Sequence, residues 1–383
     1  MRNSLALLLR RTTVGALALA GMWAPPTGAL AAAPVTASAR EAGSIPFTQR
    51  YRALQHGGIV RAANVSITCR TPRSNDRFSP STAPSCPTAR KGATGVNGDF
   101  DMTYVDVDKD PNTYNSSRAE VLVPKGSRVS YARLYWGGNL RVGEQKPPKD
   151  NGRVLVAEPG GEYKEVLADT VVGHRVAHGA DAFQASADVT RLVRKSGPGL
   201  YTVAQVNVAM GRSTAGAWGG WTLVVAYENL KQPLRHLAVW DGFDALKSGA
   251  RQDVRLRGMR FPAGAGGRAG LVTYDGDHGA TGDTFTLTTT RASSAPLPRR
   301  TKATALTNSA NPRNDVLNST ISEPGASKPK RVPAYAPTLG YDSDVFDLGT
   351  GLRRGGDQLA FRVVSQRDRV WAGVLFVAVD AQR

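Results

Sequence analysis

The segment Asp106-Val-Asp108-Lys-Asp110-Pro-Asn112 sets four side-chain oxygen donors at alternate positions. A hard cation such as calcium is held by several oxygens converging from a turning loop. Alternate spacing aims successive side chains at one centre, so calcium is the cofactor these residues raise. The glycine and the later bidentate glutamate of a full calcium loop are missing. Asn97, Asp99 and Asp101 stand close enough in sequence to add oxygens. The competing reading is a solvated strand face ending in an Asp-Pro turn, because aspartate also bonds to its own backbone two residues on.

A second acidic turn is Asp275-Gly-Asp277-His-Gly279, followed by Asp283. Its glycines let the backbone curl around an ion or ligand, or simply form a hairpin turn. Trp136 and Trp218 each stand beside a glycine pair. Indole rings in such places stack on sugars when exposed and fill cores when not. The ligand-binding candidates are therefore Trp136, Trp218, Asp275, Asp277 and Asp283. Trp221 and Trp371 open apolar strands and read as core seals.

Catalytic signatures are few. His174 and His178 are four apart, but no glutamate sits between them at the position a zinc protease requires. The stretch from Gly211 to Gly216 has the wrong spacing for a nucleophile elbow. No catalytic residue is nominated, and the chain reads as a non-enzyme. A glycosidase remains the alternative, because two carboxylates flanking a cleft leave no local pattern.

The elements that must position these groups begin with an address. Arg2, Arg10 and Arg11 precede an apolar run and a small-residue cleavage site near Ala31. Residues 1–31 read as a secretory signal peptide, and 32–48 as a flexible leader. Export to an oxidising compartment makes Cys69 and Cys86, the only two cysteines, a disulfide closing a short loop. No segment is long enough for a transmembrane helix.

Beyond the leader, short strands recur between Gly- and Pro-rich turns, supplied by 41 glycines and 23 prolines in 383 residues. The predicted fold is all-β: two tandem packed antiparallel β-sandwiches of jelly-roll or immunoglobulin-like type. A weak repeat sets the division. Asp188 to Val203 and Asp344 to Val363 share an order of acidic residue, short apolar turn, glycines and long strand, and each leads to a Trp-led strand. This gives sandwiches over 49–230 and 231–383, with a long polar loop at 293–337. Ala187 to Val193 reads as one helical turn with Asp188 as its cap.

Charge bounds the partner. Lys and Arg number 49 against 31 acids, a formal net charge of +18. The densest basic spots, Arg299-Arg300 with Lys302 and Lys328 to Arg331, are short, and no nucleic-acid motif accompanies them. Nucleic acid is excluded on this reading. Outside a cell, such charge meets anionic wall polymers or polysaccharide.

Several blocks in order carry a resemblance. They include Tyr104 to Pro111, Asn115-Ser-Ser117, Ala132 to Gly138, Ala187 to Thr190, Gly220 to Tyr227, Asp241-Gly-Phe243, Asn318 to Ser322 and Leu339-Gly-Tyr-Asp342. Together with the cysteine pair, they make the chain resemble the β-rich N-terminal domain of large actinobacterial-type secreted surface proteins that often precedes immunoglobulin-like repeats. The resemblance spans about Gly57 to Ala381 and implies an extracellular or cell-surface place and a binding or adhesive role. The expected function is binding of a glycan or anionic wall polymer, supported by calcium. The alternatives are a carbohydrate-active hydrolase and a structural surface-coat component.

Overall fold

The computed structural model describes residues 45–71, 84–177, 179–246, 249–291, 299–300, 302–325, 328–367 and 369–382. The predicted signal peptide lies outside the described residues. Residues 45–48, expected to end the leader, instead open the first strand, β1 (Ile45–Val65).

Strand β13 (Arg251–Phe261) shows why this chain extends. Val254 and Leu256 are buried, while Arg255 and Arg257 between and beyond them are exposed. That period of two places apolar groups on one face and charges on the other, which a strand satisfies and a helix does not.

Among the described residues, nine strands pair antiparallel in one sheet. Their order is β19 (Tyr341–Asp347), β14 (Gly267–Tyr274), β21 (Trp371–Asp380), β12 (Leu234–Ala245), β1, β11 (Gly219–Glu228), β5 (Arg128–Asn139), β9 (Ala180–Asp188) and β8 (Thr170–Ala177). Strand β1 divides its pairing: residues 45–56 run along β12 and residues 57–65 along β11.

This sheet doubles over. Strands β11 and β19 are five positions apart, roughly 24 Å in a flat sheet at about 4.8 Å per strand. Yet the hydroxyls of Thr222 on β11 and Tyr341 on β19 are 2.7 Å apart. Tyr274 on β14 likewise donates to Gln184 on β9 at 3.2 Å. The two halves therefore face each other, hinged along β1. Between them lies an aromatic core in which Trp371 stacks on Phe243 and Trp218 packs at a tilt to Tyr274.

Each half is also covered on its outer face. One cover consists of β18 (Arg331–Val332), β4 (Ser116–Val121), β10 (Gly199–Ala204), β6 (Arg153–Ala157) and β7 (Tyr163–Leu167). It buries Val121, Val154, Tyr201 and Val203 against Trp136, Trp221 and Leu223. The other consists of β13, β20 (Gly356–Val364), β15 (Thr284–Arg291) and β16 (Arg299–Arg300), with β17 (Thr304–Ala305) also on β15. It buries Leu256, Phe285 and Phe361 against Leu271, Leu375 and Val377. Among the described residues, the result is four sheet layers around three cores: two antiparallel sandwiches set back to back.

The internal repeat maps onto equivalent elements. In the first sandwich, β9, α2 (Thr190–Ser196), β10 and β11 follow in order; in the second, β19, a turn, β20 and β21 do the same. The helix begins at Thr190, and the Asp188 side chain accepts from the Thr190 N–H at 2.9 Å.

The described residues of the long polar loop are fastened down. Leu306, Val316 and Leu317 enter the second core. Asp344 accepts from Ser322 Oγ at 2.7 Å and from Thr320 Oγ1 at 3.0 Å. The loop's far end crosses to the first sandwich, where β18 pairs with β4.

The disulfide Cys69–Cys86 joins the end of β2 (Ile67–Cys69), which pairs with β3 (Met102–Tyr104), to the start of α1 (Cys86–Ala89). Both cysteines are buried in the first core. Among the described residues, no helix is long and apolar enough to cross a membrane.

Candidate functional site

The alternating oxygens of residues 106–112 do gather in one loop, but they are taken up by its own backbone N–H groups and by neighbouring hydroxyls. Asp106 Oδ1 accepts from Ser116 Oγ at 2.8 Å, and Asp110 Oδ1 accepts from the Asn112 N–H at 2.9 Å. Asp108 accepts from the Asp110 N–H at 3.1 Å and from the Tyr163 hydroxyl. The two from backbone N–H groups are the turn-forming bonds aspartate makes to nearby backbone; the other two come from side-chain hydroxyls. Among the described residues, no group of three or more His, Cys, Asp or Glu is placed to share a metal ion.

Asn97, Asp99 and Asp101, expected to supplement that loop, go elsewhere. Asp101 pairs with Arg70. Asn97 reaches the second acidic turn: its backbone N–H donates to Asp277 Oδ1 at 2.8 Å, and its side-chain amide donates to Asp275 Oδ1 at 2.8 Å. Gly95 and His278 form a bridge beside them. The 275–283 turn of the second sandwich is thus docked on the 3-10 turn Asn97–Asp99 of the first.

This junction is acidic. Burial pushes the Asp277 carboxyl up to about 7, and the nearby carboxylates of Asp99, Asp283 and Asp315 add to the rise, while the Asn97 N–H opposes it. Asp315 is raised for the same first reason, burial, and accepts from the Gly279 N–H at 3.0 Å. Asp283 is fully buried and accepts from the Gln366 N–H at 3.3 Å. Asp99 opens onto a shallow cleft of ≈ 520 Å³ lined also by Val96, Gly98, Arg212, Ser213 and Thr214.

Neither Trp136 nor Trp218 presents a ring to solvent; both are 0% exposed. Trp136 lies in the first core, its indole N–H donating to the Asn151 carbonyl at 2.8 Å. Trp218 lies in the middle core against Tyr274 and Trp371. The glycines beside them serve close packing. A Cβ on Gly220 would stand 2.7 Å from the Asn64 carbonyl oxygen and 2.9 Å from the Tyr341 ring. Trp221 and Trp371 are core residues as expected, in the first and middle cores respectively. His178 lies outside the described residues, and of His174 only the backbone, in β8, is described.

A different surface collects the charge. On the outer face of the second sandwich, Asp253, Arg255 and Arg257 of β13 stand opposite Arg362, Ala360 and Gln358 of β20. The next strand, β15, sets Thr286 beside Arg362 and Thr288 beside Ala360. Arg362 donates to both oxygens of Asp253, at 2.7 and 3.3 Å, and Arg251 lies 3.5 Å from the same carboxylate. These arginines hold the Asp253 carboxyl below its usual range. Among the described residues, Arg255 and Arg257 have no hydrogen-bond or ion-pair partner. The backbone of Arg299-Arg300 runs along the far side of β15. A hollow of ≈ 180 Å³ lies in this face, lined by Asp253, Arg255, Thr286, Thr288, Ala303, Ala360 and Arg362.

Sequence reasoning missed this face because it searched for runs of like charge. The signal was present as a period: in Arg251-Gln-Asp-Val-Arg-Leu-Arg257, polar and charged residues alternate with Val254 and Leu256.

The chain matches no family model and no curated protein. Among solved structures, it is similar to a chain of the Sulfolobus turreted icosahedral virus at 10% identity, covering 69% of this chain and 86% of that one, with a TM-score of 0.22. It is also similar to PNGase F, a glycosylasparaginase from Flavobacterium meningosepticum, at 14% identity, covering 73% of this chain and 95% of that one, with a TM-score of 0.16. At such TM-scores neither likeness bears on function.

Proposed function

We propose that this protein acts outside the cell as a binding or adhesion-type protein for an anionic polysaccharide or wall polymer. The observation that supports this is the outer face of β13, β20 and β15. Arg251, Arg255, Arg257 and Arg362 share it, among the described residues, with one aspartate, Asp253. A sheet face roots its side chains at a regular spacing, about 6.8 Å between residues two apart. A polymer with regularly spaced anions meets several at once, and the contacts reinforce one another.

Binding of the purified chain to immobilised anionic and neutral polysaccharides tests this reading, with and without a calcium chelator. Retention on anionic polymers that weakens with salt is the expected result. Equal behaviour on neutral polymers, or no retention on any, overturns it. Dependence on calcium would bring the 106–112 loop back into the binding reaction.

The carbohydrate-active hydrolase is the second reading. Asp99 opens onto a cleft, and the buried Asp277 behind it, with its raised carboxyl, is near enough to feel its charge, so two carboxyl groups stand close together at one opening. Release of reducing ends by the wild type and not by Asp277→Asn is its test.

A further inference from the structure

We infer that the hollow over Ala360 is a subsite for one acidic sugar unit, a uronate residue within the polymer. The inference rests on the binding role proposed above and names the chemistry of its ligand.

The hollow follows from the register. Ala360 lies between Arg255 on β13 and Thr288 on β15, and the next row is Asp253, Arg362 and Thr286. A methyl group flanked by long side chains leaves a depression, here ≈ 180 Å³. That is smaller than a drug-sized pocket of roughly 300 Å³ or more, and it suits a single ring.

Its walls sort into three kinds of partner. Arg255 makes no hydrogen bond or close ion pair among the described residues; its charge helps to lower the Asp253 carboxyl from a distance, and its planar fork is left to meet a carboxylate. The hydroxyls of Thr286 and Thr288 likewise make no hydrogen bond among the described residues and can donate or accept. Asp253 only accepts. It holds Arg362 in place through two bonds, and a carboxylate has lone pairs beyond those two.

The ligand must satisfy all three. A neutral sugar leaves Arg255 without an anion. A phosphodiester polymer brings an anion but holds no hydroxyls adjacent to it on one rigid ring to donate to Asp253. A uronate carries one carboxylate and adjacent hydroxyls on the same ring, and so answers Arg255, the threonines and Asp253 together.

Calorimetry of the full chain with oligogalacturonate, a glycerol-phosphate polymer and dextran tests the assignment. The central variant is Ala360→Leu, which fills the hollow and leaves every charge in place. Arg255→Lys keeps the charge and loses the fork. Thr288→Val removes one hydroxyl at nearly constant shape and serves if Ala360→Leu fails to fold. We expect uronate affinity to fall by about tenfold or more in Ala360→Leu and Arg255→Lys, the scale of one charged bidentate contact, and less in Thr288→Val. The circular-dichroism spectrum should be unchanged. Uronate bound equally well by Ala360→Leu and Thr288→Val overturns the subsite and leaves the general anionic reading standing. Glycerol-phosphate polymer bound as tightly as uronate overturns the sugar assignment. No binding to any anionic polymer overturns both.

Discussion

The side-chain amide of Asn97 donates a 2.8 Å hydrogen bond to the buried carboxylate of Asp275, 178 residues away in sequence. With the backbone bond from Asn97 to Asp277, it fastens one sandwich to the other at the edge of the middle core. Asn97→Ala removes the first bond and leaves the second. A hydrogen bond to a charged, buried group contributes about 1.5–3 kcal/mol. Urea denaturation should show a loss of that size; a variant as stable as the wild type would mean that the contact contributes nothing.

The acid–base consequence of Asp277 runs against the common direction. Its folded carboxyl titrates near 7, above the ordinary value of 3.8. The folded state therefore binds this proton more tightly than the unfolded chain does. The stability it contributes is fully present below about pH 4 and is lost as pH rises toward 7. Asp344, raised to about 6 chiefly by burial, has the same sign. Other carboxyls, such as Asp253 and Asp169, are lowered and act in the opposite sense, so the comparison with Asp277→Asn isolates the effect. Relative to the wild type, Asp277→Asn should gain about 3 kcal/mol between pH 4.5 and pH 8. A difference that does not change with pH counts against the raised value.

Cys69 and Cys86 close a loop across a sequence separation of 17. Linking chain ends over that length removes about 3 kcal/mol of unfolded-state entropy. Replacing both cysteines by serine should lower the unfolding midpoint accordingly. Reduction of the wild type should lower it by the same amount, and unequal effects would point to packing of the sulfurs instead.

Asp241 is the hub of a second inter-sandwich contact. It is buried, accepts from Arg50 at 2.8 and 3.0 Å, and accepts from the Tyr135 hydroxyl at 2.9 Å. The buried guanidinium of Arg133 lies 3.8 Å away. Removing one member of a buried ionic set strands the others and costs about 3–5 kcal/mol. Asp241→Ala should therefore destabilise more than Arg50→Ala, whose side chain is partly in solvent. Thermal denaturation of the two variants decides the order.

What the sequence disclosed was local. The alternation around Val254 and Leu256, the glycine-bounded strands and the nearby cysteine pair each state their structure within a short window. What it concealed was pairing at a distance. Asn97 lies close in sequence to the 106–112 loop and was assigned there, while its partner is 178 residues away. The tryptophans misled for a related reason. A glycine pair beside an indole marks either an open platform or a close approach of sheets, and only the position of Tyr341 over Gly220 separates the two. The arginines of β13 were legible as a strand face; their gathering with Arg362 required the register.

The divided pairing of β1 limits how far a chain emerging N-terminus first can complete its fold. As synthesis proceeds, residues 45–56 emerge early, yet their neighbour β12 begins only at Leu234. The first outer sheet lacks its edge strand until Val332 has been added. The leading half of the chain therefore cannot reach its final form while it is the only half made. Contacts of such long separation are slow to form, so the nascent chain carries unpaired strand edges until the second sandwich arrives to close them.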